Sequence, residues 1–141
     1  VRVDFYTVGE RFLGRPLVLV GKLCEKARIA GFEVQILCAD ANQLRALDHA
    51  LWELDGNAFL PHAVESDDDA RYAPIRLCLG REALDSDARY VINLTVAPEP
   101  LPSGAYRLAE VVFSDELSKL NGRARFRCYR AAGLDPQHHV L

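Results

Sequence analysis

No run of apolar residues in the 141-residue chain approaches the roughly 18–20 that a membrane-spanning helix requires, which excludes a helical membrane protein. No cysteine pair has CxxC spacing. Cys24, Cys38, Cys78 and Cys128 lie far apart, each in an apolar or periodic stretch. That pattern argues against a zinc or redox motif and for reduced, mostly buried thiols. Nucleotide fingerprints are missing too. The loop after the first apolar segment runs Gly9-Glu10-Arg11-Phe12-Leu13-Gly14-Arg15-Pro16. Its glycines have P-loop spacing, but Arg15 stands at the lysine position and Pro16 at the Ser/Thr position. Pro16 has neither a hydroxyl for Mg²⁺ nor an N–H for phosphate, and Glu10 would repel a nucleotide. There is no G-x-G-x-x-G turn and no G-x-S-x-G elbow. Val1 to Phe5 show no basic head before an apolar stretch, so no secretory signal is expected and the expected compartment is the cytoplasm.

What is present suits one folded unit. Half of the residues are apolar and 26% are charged, enough for one core and too apolar for bulk disorder. A single domain over 1–141 is expected. Residues 1–8 (VRVDFYTV) are β-branched and aromatic and read as a strand. Pro16 suits the first turn of a helix that runs to about Ala30 and stops at Gly31. Residues 33–39 form a second strand. Asp40 then caps a helix to about Leu54, whose Leu44, Leu47, Leu51 and Leu54 make a core stripe before Asp55-Gly56-Asn57. The acidic stretch 63–73 reads as an exposed loop. IRLCL (75–79), RYVINLT (89–95) and Tyr106 to Phe113 are further strands, with Pro98, Pro100, Pro102 and Gly104 marking a loop. Ser114 caps a last helix to about Ala132, stopped by Gly133. Alternating strands and helices predict a three-layer, Rossmann-like α/β fold on a mostly parallel sheet, without a nucleotide-binding loop.

No catalytic constellation emerges. His49 falls in the second helix, His62 in a loop and His138-His139 in the tail. His62 near Glu65 and Asp67 reads as a loop histidine beside solvated acids, so neither metal nor cofactor is expected.

Charge is the informative signal. Up to Glu116 the chain holds 12 basic and 19 acidic residues, a net of -7. Beyond it stand Lys119, Arg123, Arg125, Arg127 and Arg130 against Asp135 alone, a net of +4. On a helical wheel of about 100° per residue, Leu117, Leu120, Ala124, Cys128 and Ala131 form the expected buried stripe. Lys119, Arg123, Phe126, Arg127 and Arg130 share a neighbouring arc. Four cations and a phenyl ring on one surface suit an anion with an apolar or π component. Nucleic acid fits, with phosphates on the arginines and a base on Phe126. An acidic peptide ending in an apolar residue also fits. The acidic body argues mildly against an extended polyanion. A second surface is suggested by Trp52 at the edge of the leucine stripe, with Phe59 and Pro61 on the next segment. Large aromatics at a core edge are frequent interface anchors.

The opening DFY (4–6), the stretch ADANQLRALDHALWELDGNAFLPH (39–62) and the terminal RFRCYRAAG (125–133) together resemble the chi subunits of bacterial DNA polymerase III, accessory proteins of the clamp-loader complex. The strand at 89–95 and EVVF (110–113) match less specifically, and 9–20 and 63–73 match poorly. The resemblance implies a Rossmann-like fold without nucleotide chemistry and a non-catalytic role. It implies a heterodimer with a psi subunit, and binding of the acidic, phenylalanine-ended tail of single-stranded-DNA-binding protein, with nucleic acid engaged only indirectly. Carried over by position, Lys119, Arg123, Phe126, Arg127 and Arg130 would hold that tail, with Val112 as an apolar wall. Trp52, Phe59 and Pro61 would face psi, or a helicase-like partner competing for the same surface. Phe126 departs from the tyrosine expected there. The alternative is a direct nucleic-acid-binding module using the same basic helix.

Overall fold

A computed structural model describes residues 2–53, 61–64, 73–85, 87–98 and 106–141. Its strands are β1 (Arg2–Thr7), β2 (Val34–Cys38), β3 (His62–Val64), β4 (Ile75–Leu79), β5 (Tyr90–Asn93), β6 (Arg107–Val112) and β7 (Gln137–Val140). Its helices are α1 (Pro16–Ile29), α2 (Ala41–Trp52) and α3 (Glu116–Ala131). The seven strands form one sheet in the order β3-β4-β2-β5-β6-β1-β7. Every pairing is parallel, which is the three-layer, Rossmann-like arrangement expected.

The layers follow from period-two alternation along the strands. Val34, Ile36, Tyr90, Ile92, Ala109 and Val111 join the core under α1 and α2. Val3, Phe5, Leu37, Val91, Leu108 and Val112 point to the opposite face, where Tyr129 and Phe126 of α3 pack. β2 is buried at all five positions, as a central parallel strand covered on both faces must be. Cys24, Cys38 and Cys78 are buried, Cys128 is exposed, and all four are free thiols. Burial pushes the Cys24 thiol up to about 12, so it is an inert core group.

The caps are chemical. Pro16 occupies the first turn of α1. Asp40 Oδ1 accepts the Gln43 N–H at 2.7 Å, and Gln43 Oε1 accepts the Ala39 N–H at 2.6 Å. Leu44, Leu47 and Leu51 are buried as expected. Leu54, Asp55-Gly56-Asn57 and Glu65, Asp67 lie outside the described residues.

Three expectations are corrected. The cap of α3 is Asp115, not Ser114: its carboxylate takes both the backbone N–H and the hydroxyl of Ser118, at 3.0 and 2.7 Å. The Ser118 hydroxyl, then its N–H, holds the Asp115 carboxyl below the usual range. Two strands were not anticipated. β3 takes in His62, read as a loop histidine but buried in the sheet, and the first two residues of the stretch 63–73 read as an acidic loop; β7 is the tail segment Gln137-His138-His139-Val140. Both are short edge strands whose sequences lack a long β-branched run.

The third correction concerns the face of α3. Its buried residues are Ser118, Gly122, Arg125 and Tyr129. Leu117 and Leu120, expected in the core, are 55% and 57% exposed. The reason lies on β6. Glu110 is fully buried and accepts hydrogen bonds from Asn93 Nδ2 and Tyr129 OH, both at 2.7 Å. Arg125 Nε lies 3.2 Å from Glu110 Oε1, an ion pair not aligned as a hydrogen bond, and its NH1 donates to the Ala97 carbonyl at 2.7 Å. A buried carboxylate needs a buried countercharge, so the polar stripe faces the sheet. Burial raises the Glu110 carboxyl above its usual range, and the Arg125 charge and the hydrogen bonds offset this only in part.

Candidate functional site

The residues that could receive an anion meet where α3 crosses the ends of β1, β6 and β7. Gly122 allows this crossing to be close: a Cβ there would lie 2.9 Å from Val112 Cγ2. Beside the contact opens a groove of about 500 Å³. Its floor is apolar, made of Phe5, Val112, Gly122 and Phe126. The Phe5 and Phe126 rings meet edge to face, with centroids 5.1 Å apart. Lys119, Arg123 and Arg127 rim the α3 side, and Thr7 and His138 line the other.

The structure therefore brings Val112, Lys119, Arg123, Phe126 and Arg127 together in one groove. Arg130 is exposed on the same side of α3 but does not line the groove. Arg125, counted in the basic end of the chain, is spent internally on Glu110. Lys119 reaches Glu116 at 3.8 Å, but Glu116 is almost fully solvated, so this pair neutralises little. Arg123, Arg127 and Arg130 have no ion pair among the described residues. Guanidinium groups gathered without a countercharge around an apolar floor can bind a ligand that is anionic and apolar at once. Phe5, Thr7, Gly122 and His138 were missed. The alternation in VRVDFYT already places Phe5 and Thr7 on one face; His138 depends on the pairing of β7 with β1.

Trp52 ends α2 and is 59% exposed, so it does not extend the core. Its ring lies over His62, with centroids 4.3 Å apart. The His62 side chain is buried and its Nε2 lies 3.1 Å from Asp48 Oδ1. This fixes β3 against α2 and props the indole outward. Pro61 adjoins His62 and is half-buried; Phe59 lies outside the described residues. Among the described residues no group of three His, Cys, Asp or Glu could hold a metal ion, and no helix is long and apolar enough to cross a membrane.

Comparison with known proteins covers nearly the whole chain. The family model described as DNA polymerase III chi subunit, HolC, matches residues 1–137. DNA polymerase III subunit chi of Pseudomonas aeruginosa is 38% identical over 141 residues, spanning 99% of this chain and 96% of the relative. The chi subunit of Escherichia coli is 26% identical over 118 residues, spanning 83% and 80% respectively.

Proposed function

The chain belongs to the DNA polymerase III chi-subunit family and is an accessory subunit of the replicative polymerase, and from that premise we propose that it is a two-sided adaptor linking single-stranded-DNA-binding protein to the clamp loader. One side is the groove under α3, which takes the acidic, phenylalanine-ended tail. The other is the surface at Trp52 and Pro61, with Phe59 assigned to it from the sequence alone, which takes psi or a helicase-like protein competing with it.

The observation that carries the tail assignment is the pair Arg123 and Arg127, with no ion pair among the described residues, beside an apolar floor. A phenyl ring fits against Phe5, Val112 and Phe126, while carboxylates meet Lys119, Arg123 and Arg127, with Arg130 extending the field outside the groove. Phe126 supplies packing and no hydroxyl. The exposed indole of Trp52 supports the second side, because a rigid aromatic held outward is a typical interface anchor. The function is linkage: a weak contact becomes effective because several tails on one DNA-bound tetramer raise the local concentration.

The test is calorimetric titration with a peptide copying the tail. Arg123→Glu should lower affinity by at least tenfold, since a charge-assisted contact is worth about 1.5–3 kcal/mol, and leave the fold intact. Unchanged affinity removes the site. Tight binding of single-stranded DNA by the same helix, abolished by the same substitution, would favour direct nucleic-acid binding instead.

A further inference from the structure

The groove has a second wall that the chi assignment does not explain. It is built from β1 and β7, and its polar groups are Thr7 and His138. Pairing sets His138 beside Phe5, so its ring shares the α3 face with Phe5 and Thr7, while His139 points to the other face. Thr7 Oγ1 lies 2.7 Å from His138 Nε2. That contact orients the imidazole and leaves Nδ1 for another partner.

The charged groups facing the imidazole across the groove are Lys119, Arg123 and Arg127 of α3. Nearby acids are engaged elsewhere. Asp4 lies on the opposite face of β1, bound by Arg2, Arg107 and His139. Asp135, in the turn before β7, accepts a hydrogen bond from Gln137 Nε2 at 3.1 Å. A ring that lines the same groove as three cations, tethered through one nitrogen and with no partner at the other among the described residues, is suited to an anion.

The groove's layout says which anion. Its apolar floor runs between two polar walls, so a residue seated on the floor needs an anionic group next to its own side chain. Only the last residue of a peptide carries a carboxylate there; an internal residue presents neutral amides. We propose that His138, held by Thr7, binds the terminal carboxylate of the peptide in the groove through Nδ1–H, opposite the arginines of α3. The inference rests on the tail-binding reading and adds a ligand residue and a terminal-residue specificity to it. The Nδ1 donor serves in both charge states. When the ring is neutral, the Thr7 hydroxyl donates to Nε2; when it is protonated, Nε2–H donates to Thr7. Protonation adds charge, and histidine is the side chain whose ordinary titration falls between about pH 5 and 8.

The experiment uses the whole protein and an acidic, phenylalanine-ended peptide, either with a free terminal carboxylate or as its terminal amide. Affinities are measured for wild type and His138→Gln at about pH 6 and about pH 8. Amidation should weaken wild type about tenfold at the lower pH and the variant no more than about threefold. Wild-type affinity for the free acid should be about fivefold higher at the lower pH than at the higher, and that of the variant less than about twofold higher. Equal amide penalties and equal pH responses in the two proteins overturn the proposal and leave the groove reading standing. If wild type binds neither peptide, the groove reading fails and the proposal with it. An NMR titration with peptide needs no variant: the free-acid peptide should move the His138 ring resonances and the amide should move them far less, and a ring unmoved by the free acid overturns the assignment.

Discussion

Arg125→Met tests whether the buried charge pair holds α3, and therefore the groove, in place. Arg125 is fully buried, with Glu110 as its countercharge and the Ala97 carbonyl as its acceptor. Methionine fills much of the volume but leaves Glu110 with two neutral donors, Asn93 and Tyr129. Breaking a buried pair by removing one member costs about 3–5 kcal/mol. The carboxylate can limit the loss by taking up a proton, so the low end applies, about 3 kcal/mol, or a fall in Tm on the order of 10 °C. The pH dependence follows from the sign of the Glu110 shift. Its folded pKa is raised, chiefly by burial, so over the interval between its unfolded and folded values the native state binds more protons than the unfolded state. Stability therefore falls as pH rises through that interval. Removing the arginine raises the carboxyl further, so the deficit of the variant should be smaller near pH 5 than near pH 8. Urea unfolding followed by far-UV circular dichroism reads both quantities. The double variant Arg125→Met, Glu110→Gln should recover part of the loss, because a neutral amide removes the orphaned charge while still offering hydrogen-bond partners to Asn93 and Tyr129. A single-variant loss below about 1 kcal/mol, or a deficit independent of pH, refutes the reasoning.

Three further outcomes follow from named contacts. Gly122→Ala places a Cβ 2.9 Å from Val112 Cγ2 on a side chain too short to swing away; despite the helix preference for alanine, it should cost about 1–2 kcal/mol in urea unfolding and weaken tail binding. Trp52→Ala should change unfolding stability by no more than about 1 kcal/mol, given its exposure, and the proposed second side of the adaptor requires that it abolish co-purification with psi. Burial pushes the Asp4 carboxyl up, but hydrogen bonds from His139, Arg2 and Arg107 outweigh it and hold the group below its usual range. Its folded pKa is thus depressed, so its contribution is present above the ordinary carboxylate range and is lost as pH falls through the folded value. Asp4→Asn should flatten the acid limb of the stability curve measured by urea midpoints.

How much of this was legible depended on whether the deciding partner was local. Asp40 and Leu44, Leu47 and Leu51 lie within one helix and its cap and were readable from the sequence, while the return contact of Gln43 to the Ala39 N–H was not anticipated. β1, β2 and β4 to β6 announced themselves as apolar or alternating runs, so the parallel layering followed from element order. The buried face of α3 was misread because its determinant, Glu110, sits on another element. Leu117 and Leu120 looked like core by type, whereas Arg125 became core by pairing. The cationic arc survived this error because it lies between the two faces, roughly a third of a turn from each. His138 escaped because the second wall exists only once β7 adds to the edge of the sheet, whereas Phe5 and Thr7 lay within reach of the alternation along β1.

The most direct test of the adaptor account is titration of the wild-type protein with an acidic tail peptide ending in phenylalanine and with the same peptide lacking that residue. Burying a phenyl ring on the floor formed by Phe5, Val112 and Phe126 contributes about 1.5–3 kcal/mol, so the account expects at least a tenfold loss of affinity when the ring is removed. Equal affinity for the two peptides would contradict it, because charge alone would then explain binding and the groove would have no occupant.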